Sequence, residues 1–151
     1  MSGRHAARRQ ALFLLYQWDL TGQPLASLYE GEVDEFARVL AQEVSGQAAD
    51  LDGRITAAAR GWTADRLGTV ERNVLRIAIR ELDRGEVPVE VAIDEAVELA
   101  KRFASAEAAS LVNGILGRIA REASSEASSE TLGGPSVSTS ETPPEDEHRD
   151  R

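Results

Sequence analysis

The sequence predicts an all-helical domain, and three observations support this prediction. The chain has 151 residues, of which 42% are hydrophobic, so it can bury one core of ordinary size. Apolar residues recur at three- and four-residue spacing in several segments, whereas the alternation typical of strands is hard to find. Alanine is abundant and aromatic residues make up only 5% of the chain. This composition favours helices over sheets.

The first predicted helix runs from about Arg4 to Leu20, and Gly22 and Pro24 end it. Its apolar face consists of Ala7, Ala11, Leu14, Leu15 and Trp18. No acidic residue precedes Asp19, so the helix begins with a locally basic segment that contains Arg4, Arg8 and Arg9. The planar guanidinium group suits phosphates and base edges, because it donates two parallel hydrogen bonds. A basic, solvated N-terminus is the alternative interpretation of this segment.

Two further helices are predicted at residues 32–44 and 50–60, and Asp50 is the expected N-cap of the latter. Trp62 follows directly after a glycine. We expect its indole to pack in the core at the junction between the first three helices and the next three, rather than to serve as a stacking platform for a base.

The central predicted helix spans Thr69–Leu82, with Thr69 as its N-cap and Gly85 beyond its end. Besides an apolar stripe, this helix carries Arg72, Arg76 and Arg80 at four-residue spacing. Each such pair of like charges costs roughly 0.2–0.5 kcal/mol on an exposed helix. The arginines therefore need partners, which are either carboxylates of a neighbouring helix or an anionic ligand. The spacing alone favours carboxylates, for which the candidates are Glu90, Asp94, Glu95 and Glu98.

The last two helices are predicted at residues 89–103 and from a Ser105 N-cap to about residue 121. Residues 1–121 are thus the expected folded domain. Residues 122–151 are rich in serine, glutamate and proline and are predicted to be a disordered acidic tail, because they offer little to bury. The net charge of −9 becomes −3 for residues 1–121, since the tail has eight acids and two arginines.

Several kinds of protein are disfavoured by the composition. The chain has no cysteine, and its two histidines, His5 and His148, lie near the chain ends. A metal site or a histidine-based catalytic centre is therefore not expected. No nucleophile with a plausible base is evident, which argues against an enzyme. The longest apolar run, residues 11–16, is too short to span a membrane, so we expect a cytoplasmic protein.

Four segments together resemble the NusB family of bacterial transcription antitermination factors. They are ARRQALFLLYQWDL, GWTADRLGTVERNVLRIAIREL, VPVEVAIDEAVELAKRF and LVNGILGRIA. The resemblance implies two packed three-helix bundles and a non-enzymatic RNA-binding protein without a cofactor. It also implies that the protein binds the boxA element of ribosomal RNA transcripts together with NusE, a ribosomal small-subunit protein, and helps RNA polymerase to read through terminators.

The resemblance also implies roles for individual residues. Contacts with boxA RNA are implied for Arg4, Arg8, Arg9, Arg72 and Arg76, which we expect to converge on one surface. Tyr16 and Glu81 match positions that serve the NusE interface. Two other functions are considered: a helical module that binds RNA during ribosomal RNA modification, and a protein-interaction bundle that forms a homodimer. The sequence leaves open whether the free protein is a monomer or a dimer.

Overall fold

The computed structural model describes residues 3–132, with side chains described as far as residue 126. This part of the chain contains six α-helices and no strand. The helices are α1 (Gly3–Thr21), α2 (Glu35–Gly46), α3 (Ala48–Ala58), α4 (Thr69–Arg84), α5 (Val89–Phe103) and α6 (Ala106–Leu132). Short 3₁₀ turns lie at Leu25–Leu28 and Ala64–Arg66. No helix in the described range is long and apolar enough to cross a membrane.

The helix ends follow from local hydrogen bonding. Asp34 caps α2, because its carboxylate accepts from the backbone N–H groups of Phe36 and Ala37 at 2.8 and 3.2 Å. The predicted Ser105 cap of α6 is confirmed, since its hydroxyl oxygen accepts from the Ala108 N–H at 3.0 Å. The predicted Asp50 cap is wrong, because the N-cap of α3 is Gln47, three residues earlier.

The central helix α4 begins and ends near the predicted residues. Thr69 is its first helical residue rather than its N-cap, which is Gly68. Gly85 ends the helix with a φ of +67°, in the left-handed region that glycine adopts without a steric penalty. The turn after Gly85 then leads into α5, whose bounds match the prediction.

Helix α4 is the centre of the fold, because it contacts each of the other five helices. The apolar stripe predicted for this helix consists of Val70, Val74, Ile77, Ala78 and Leu82. Its three middle residues are buried, and the first and last are partly buried. Leu75 and Ile79, which lie outside that stripe, are buried as well. A helix that is covered on several sides buries residues around most of its circumference. Consequently Asn73, Arg76 and Glu81 also lie in the interior, where each needs a partner.

The expected arrangement of two packed three-helix bundles is confirmed. In the second half of the chain, α4, α5 and α6 each contact the other two. In the first half, α2 contacts both α1 and α3. The halves meet where α1, α2 and α3 pack on α4 and where α3 also packs on α6. Their apolar side chains form one continuous core.

Two expectations differ from the structure. Helix α6 continues to Leu132, so the first eleven residues of the predicted disordered tail are helical. Extending an existing helix avoids the cost of nucleation, and the added segment includes alanine and glutamate, which favour helices. The rest of the predicted tail lies outside the described residues.

The predicted burial of Trp62 is wrong, since half of its surface (50%) is exposed. It follows Arg60 and Gly61, which both have positive φ and turn the chain sharply.

Candidate nucleic-acid interface

A buried ion pair joins the N-terminal half of α1 to the C-terminal half of α4. The Arg8 guanidinium group donates to both carboxylate oxygens of Glu81 at 2.8 Å, and both side chains are buried. A second carboxylate, that of Glu95 on α5, lies 3.6 Å away. Burial opposes the charge on Arg8, but the hydrogen bond and charge of Glu81, together with the charge of Glu95, outweigh it and raise the pKa of Arg8. Arg8 therefore acts as a structural cation.

A second buried network surrounds Arg76. Its guanidinium group donates to both oxygens of Asp52 at 2.7 Å, to Asp19 at 3.0 Å and to the Asn73 side-chain oxygen at 2.9 Å. Burial opposes the charge on Arg76, but Asp52 and Asp19 outweigh it and raise the pKa of Arg76. The network links α4 to α1 through Asp19 and to α3 through Asp52.

Arg72 completes this network. Its Nε donates to Asp19 at 3.0 Å, and its Nη1 donates to the carbonyl oxygens of Ala64 and Leu67, both at 3.2 Å. Burial alone would raise the pKa of Asp19, but Arg72, Arg76 and Asn73 outweigh this effect and lower it. Asp19 thus accepts hydrogen bonds from two arginines. The N–H groups of Arg72 that make these contacts point into the protein.

The expected partners of the arginine stripe are corrected by these contacts. Arg72 and Arg76 pair with acids of α1 and α3, and Arg80 pairs with Glu43 of α2 at 3.2 Å. Among the candidates on α5, Glu90, Asp94 and Glu98 are exposed, and Glu95 pairs with Arg8 and His5. The reason is geometric: α5 packs on α4 through its apolar face, which leaves its outward acids facing solvent.

The predicted RNA-contact arginines do not converge on one patch. Arg8 pairs near the C-terminal end of α4, whereas Arg72 and Arg76 lie in its N-terminal half and pair with Asp19. On α1, Arg8 and Asp19 are eleven residues apart, which is about 16 Å along a helix axis. The two networks are therefore separate, and each uses its arginines in contacts within the protein.

The other two predicted arginines are accessible. Arg4 is exposed, and its guanidinium carbon lies 4.0 Å from the centre of the Phe36 ring, a cation–π contact that leaves its N–H groups free to bind other partners. Arg9 is half-buried and makes no ion pair or hydrogen bond with any residue that the structure describes. These two guanidinium groups are the ones on α1 that can reach a phosphate.

Arg9 lines a cleft of about 380 Å³ between α1 and the segment before α2. Phe13 and Asp34 line the same cleft. Phe13 also lines a second, apolar groove of about 270 Å³, together with Tyr16 and Phe103 among other residues. Arg9, Phe13 and Tyr16 thus mark one continuous surface along α1.

The two predicted partner-binding residues lie in different surroundings. Tyr16 is 38% exposed at the wall of this groove. Glu81 is buried against Arg8, so its carboxylate is engaged within the fold. Phe13, which is 44% exposed, is absent from the residues predicted from the sequence. The sequence contained a sign of this exposure, because Phe13 falls outside the apolar face predicted for the first helix.

Comparisons with known proteins agree with this architecture. A sequence model of the NusB family matches residues 5–121. A transcription antitermination protein NusB from Rubrobacter xylanophilus is 42% identical over 97 residues, which cover 60% of this chain and 70% of that protein.

Two solved structures are similar as well. NusB of T. maritima has 33% identity and a TM-score of 0.70, covering 79% of this chain and 91% of that one. A chain from a complex of antitermination factors NusB and NusE with dsRNA has 28% identity and a TM-score of 0.70. It covers 81% of this chain and 98% of that one.

Removing the guanidinium group of Arg76 is expected to destabilise the fold. Arg76→Ala leaves Asp19 and Asp52 without their shared cation, and breaking a buried ion pair costs about 3 kcal/mol or more. Urea unfolding followed by circular dichroism measures the destabilisation. Arg54→Ala is the matched control on α3, because Arg54 pairs with Asp83 at the surface and should change the midpoint little. Equal midpoints for Arg76→Ala and the wild type would contradict the structural role.

The lowered pKa of Asp19 predicts a pH dependence of stability. Its folded pKa lies below the unfolded value of about 3.9, so its contribution is complete above that value and is lost as pH falls through the folded pKa. Urea midpoints of the wild type should therefore fall more steeply below about pH 4 than those of Asp19→Asn. Parallel pH profiles for the two proteins would show that Asp19 is not stabilised in this way.

Proposed function

The chain belongs to the NusB family, and on that premise we propose that it is a transcription antitermination factor that binds boxA RNA together with NusE. The complex then helps RNA polymerase to read through terminators. The proposal rests on family membership and on one structural observation, the two accessible arginines at the start of α1, of which Arg9 lines a cleft. The protein acts by binding alone, and the two buried arginine networks hold its helices in register.

The RNA contact is assigned to Arg4 and Arg9. Both lie on the first turns of α1, and both have guanidinium N–H groups that are not used by carboxylates of the described residues. A guanidinium group binds a phosphate through two parallel hydrogen bonds, which suits an RNA backbone. Arg8, Arg72 and Arg76 support this surface indirectly, because they fix α1 and α3 against α4.

The distribution of acids determines from which side RNA can approach. On one flank of α1, the exposed acids Asp94 and Glu98 of α5 line a groove that also contains His5 and Glu95. Phosphates are repelled from this acidic flank. On the other flank lies the cleft that contains Arg9. We therefore place the RNA over the cleft, on the side of α1 that faces α2.

The apolar groove beside the cleft is the proposed binding face for NusE. Tyr16 and Phe13 are exposed there, and a groove lined by Val70 and Phe103 offers apolar area that a protein partner would bury. Because Phe13 borders both the groove and the cleft, a partner in the groove lies next to the bound RNA. Such a partner adds contacts to an RNA surface that has few arginines of its own. Glu81 supports this face indirectly, because its buried ion pair with Arg8 holds α1 against α4.

The central test reverses the charge of the accessible arginines. The double variant Arg4→Glu, Arg9→Glu should lose most of its affinity for boxA RNA, because two attractive interactions with phosphates become repulsive. Gel-shift titrations with boxA and scrambled RNA, each with and without NusE, measure the effect. The dependence of log affinity on log salt should weaken by about 0.7 for each phosphate that the variant no longer neutralises.

The matched control is Arg66→Glu, which reverses an exposed arginine in the connection between α3 and α4. Its affinity for boxA should stay close to that of the wild type, and circular dichroism should show equal helicity in all three proteins. Equal losses of affinity in the control and the double variant would mean that overall charge, not the α1 surface, governs binding. Full boxA affinity in the double variant would contradict the assignment.

A further inference from the structure

The cleft beside Arg9 lies at the surface and has room for one nucleobase. Its α1 wall carries Gly3, Ala6 and Ala7, whose small side chains leave the space open. Its volume of about 380 Å³ falls within the range of pockets that bind small molecules.

The opposite wall is held in place by Gln10. The side-chain oxygen of Gln10 accepts from the Asp34 N–H at 3.0 Å, and its amide nitrogen donates to the Glu32 carbonyl oxygen at 3.5 Å. These bonds tie the segment before α2 to α1. These contacts hold the segment near α1 in the free protein, which lowers the entropy cost of binding.

An aromatic ring closes one end of the cleft. Phe13 lies one helical turn after Arg9, on the same face of α1. Its ring is 44% exposed and meets the Phe103 ring edge to face, with centroids 5.1 Å apart and planes at 83°. This contact favours one orientation of the ring. An exposed and oriented aromatic ring is a surface on which an unpaired base can stack.

The negative charge of the Asp34 carboxylate favours the base of a nucleotide over its phosphate inside the cleft. One of its oxygens caps α2, and the other accepts no hydrogen bond from the residues that the structure describes. A phosphate would be repelled by this negative charge, whereas the N–H groups on a base edge can donate to the remaining oxygen. The base therefore points inward, and its phosphate stays outside beside Arg9.

We propose that this cleft binds one unpaired base of the RNA, stacked on Phe13, with its N–H edge toward Asp34 and its phosphate against Arg9. The inference rests on the proposed RNA-binding function and adds to it a base-binding site with a named stacking residue. Phe13 is then the residue through which the protein detects an unpaired base, while the arginines contact the backbone.

The test combines RNA variants with protein variants, without NusE and at low salt. A series of boxA RNAs, each with a single abasic position, is titrated against the full-length wild type and Phe13→Ala. With the wild type, one position should weaken binding by roughly tenfold, the size expected for one stacked base. Phe13→Ala should bind intact boxA more weakly by the same factor and should show no further decrease with that abasic RNA. Phe13→Trp should retain the wild-type pattern.

Trp62→Ala is the matched control, because it removes an exposed aromatic ring from the connection between α3 and α4. It should keep both the affinity and the abasic pattern of the wild type, and a decrease equal to that of Phe13→Ala would overturn the assignment to the cleft. Unchanged affinity of Phe13→Ala for intact boxA, or an unchanged abasic penalty, overturns the base-binding site alone. A wild type that does not distinguish boxA from scrambled RNA even when NusE is present overturns the proposed function and this inference together.

Discussion

The burial of charged residues on the central helix is the constraint on which this structure depends. Because α4 contacts all five other helices, Arg76 and Glu81 cannot reach bulk water and must be neutralised inside the protein. Arg8 supplies the cation for Glu81, and Asp19 and Asp52 supply the anions for Arg76. A buried pair stabilises the fold little more than an apolar contact would, but a mispaired charge costs several kcal/mol. These networks therefore select one register of α1 and α3 against α4.

This constraint divides the arginines into two groups with different tasks. The inward group, Arg8, Arg72 and Arg76, holds the helices together through hydrogen bonds to carboxylates inside the fold. The outward group, Arg4 and Arg9, lies at the start of α1, whose position is fixed by its neighbour Arg8. Three arginines within six residues thus combine folding and binding, because adjacent positions on a helix point in different directions. The cleft and the apolar groove extend the outward surface along the same helix.

The helices could be predicted from the sequence, whereas the partners of the charged residues could not. Periodicity locates α1 and α5 to within about a residue at each end, because their apolar faces pack against neighbours. The partner of Arg76 cannot be predicted from periodicity, because Asp52 is 24 residues away in the chain and only the packing of α3 on α4 brings it near. The exposure of Trp62 and the cleft beside Phe13 depend on loop geometry, for which the sequence carries no periodic signal.

The most direct test of the division between inward and outward arginines is an NMR titration of the labelled protein with boxA RNA, following the side-chain Nε–H signals of the arginines and the backbone amides. The signals of Arg4 and Arg9, and the amides around Phe13, should shift as RNA is added. The Nε–H signals of Arg8 and Arg76 should keep their positions, because their ion pairs persist in the complex. The largest shifts at Arg72 and Arg76, with none at the start of α1, would contradict this division.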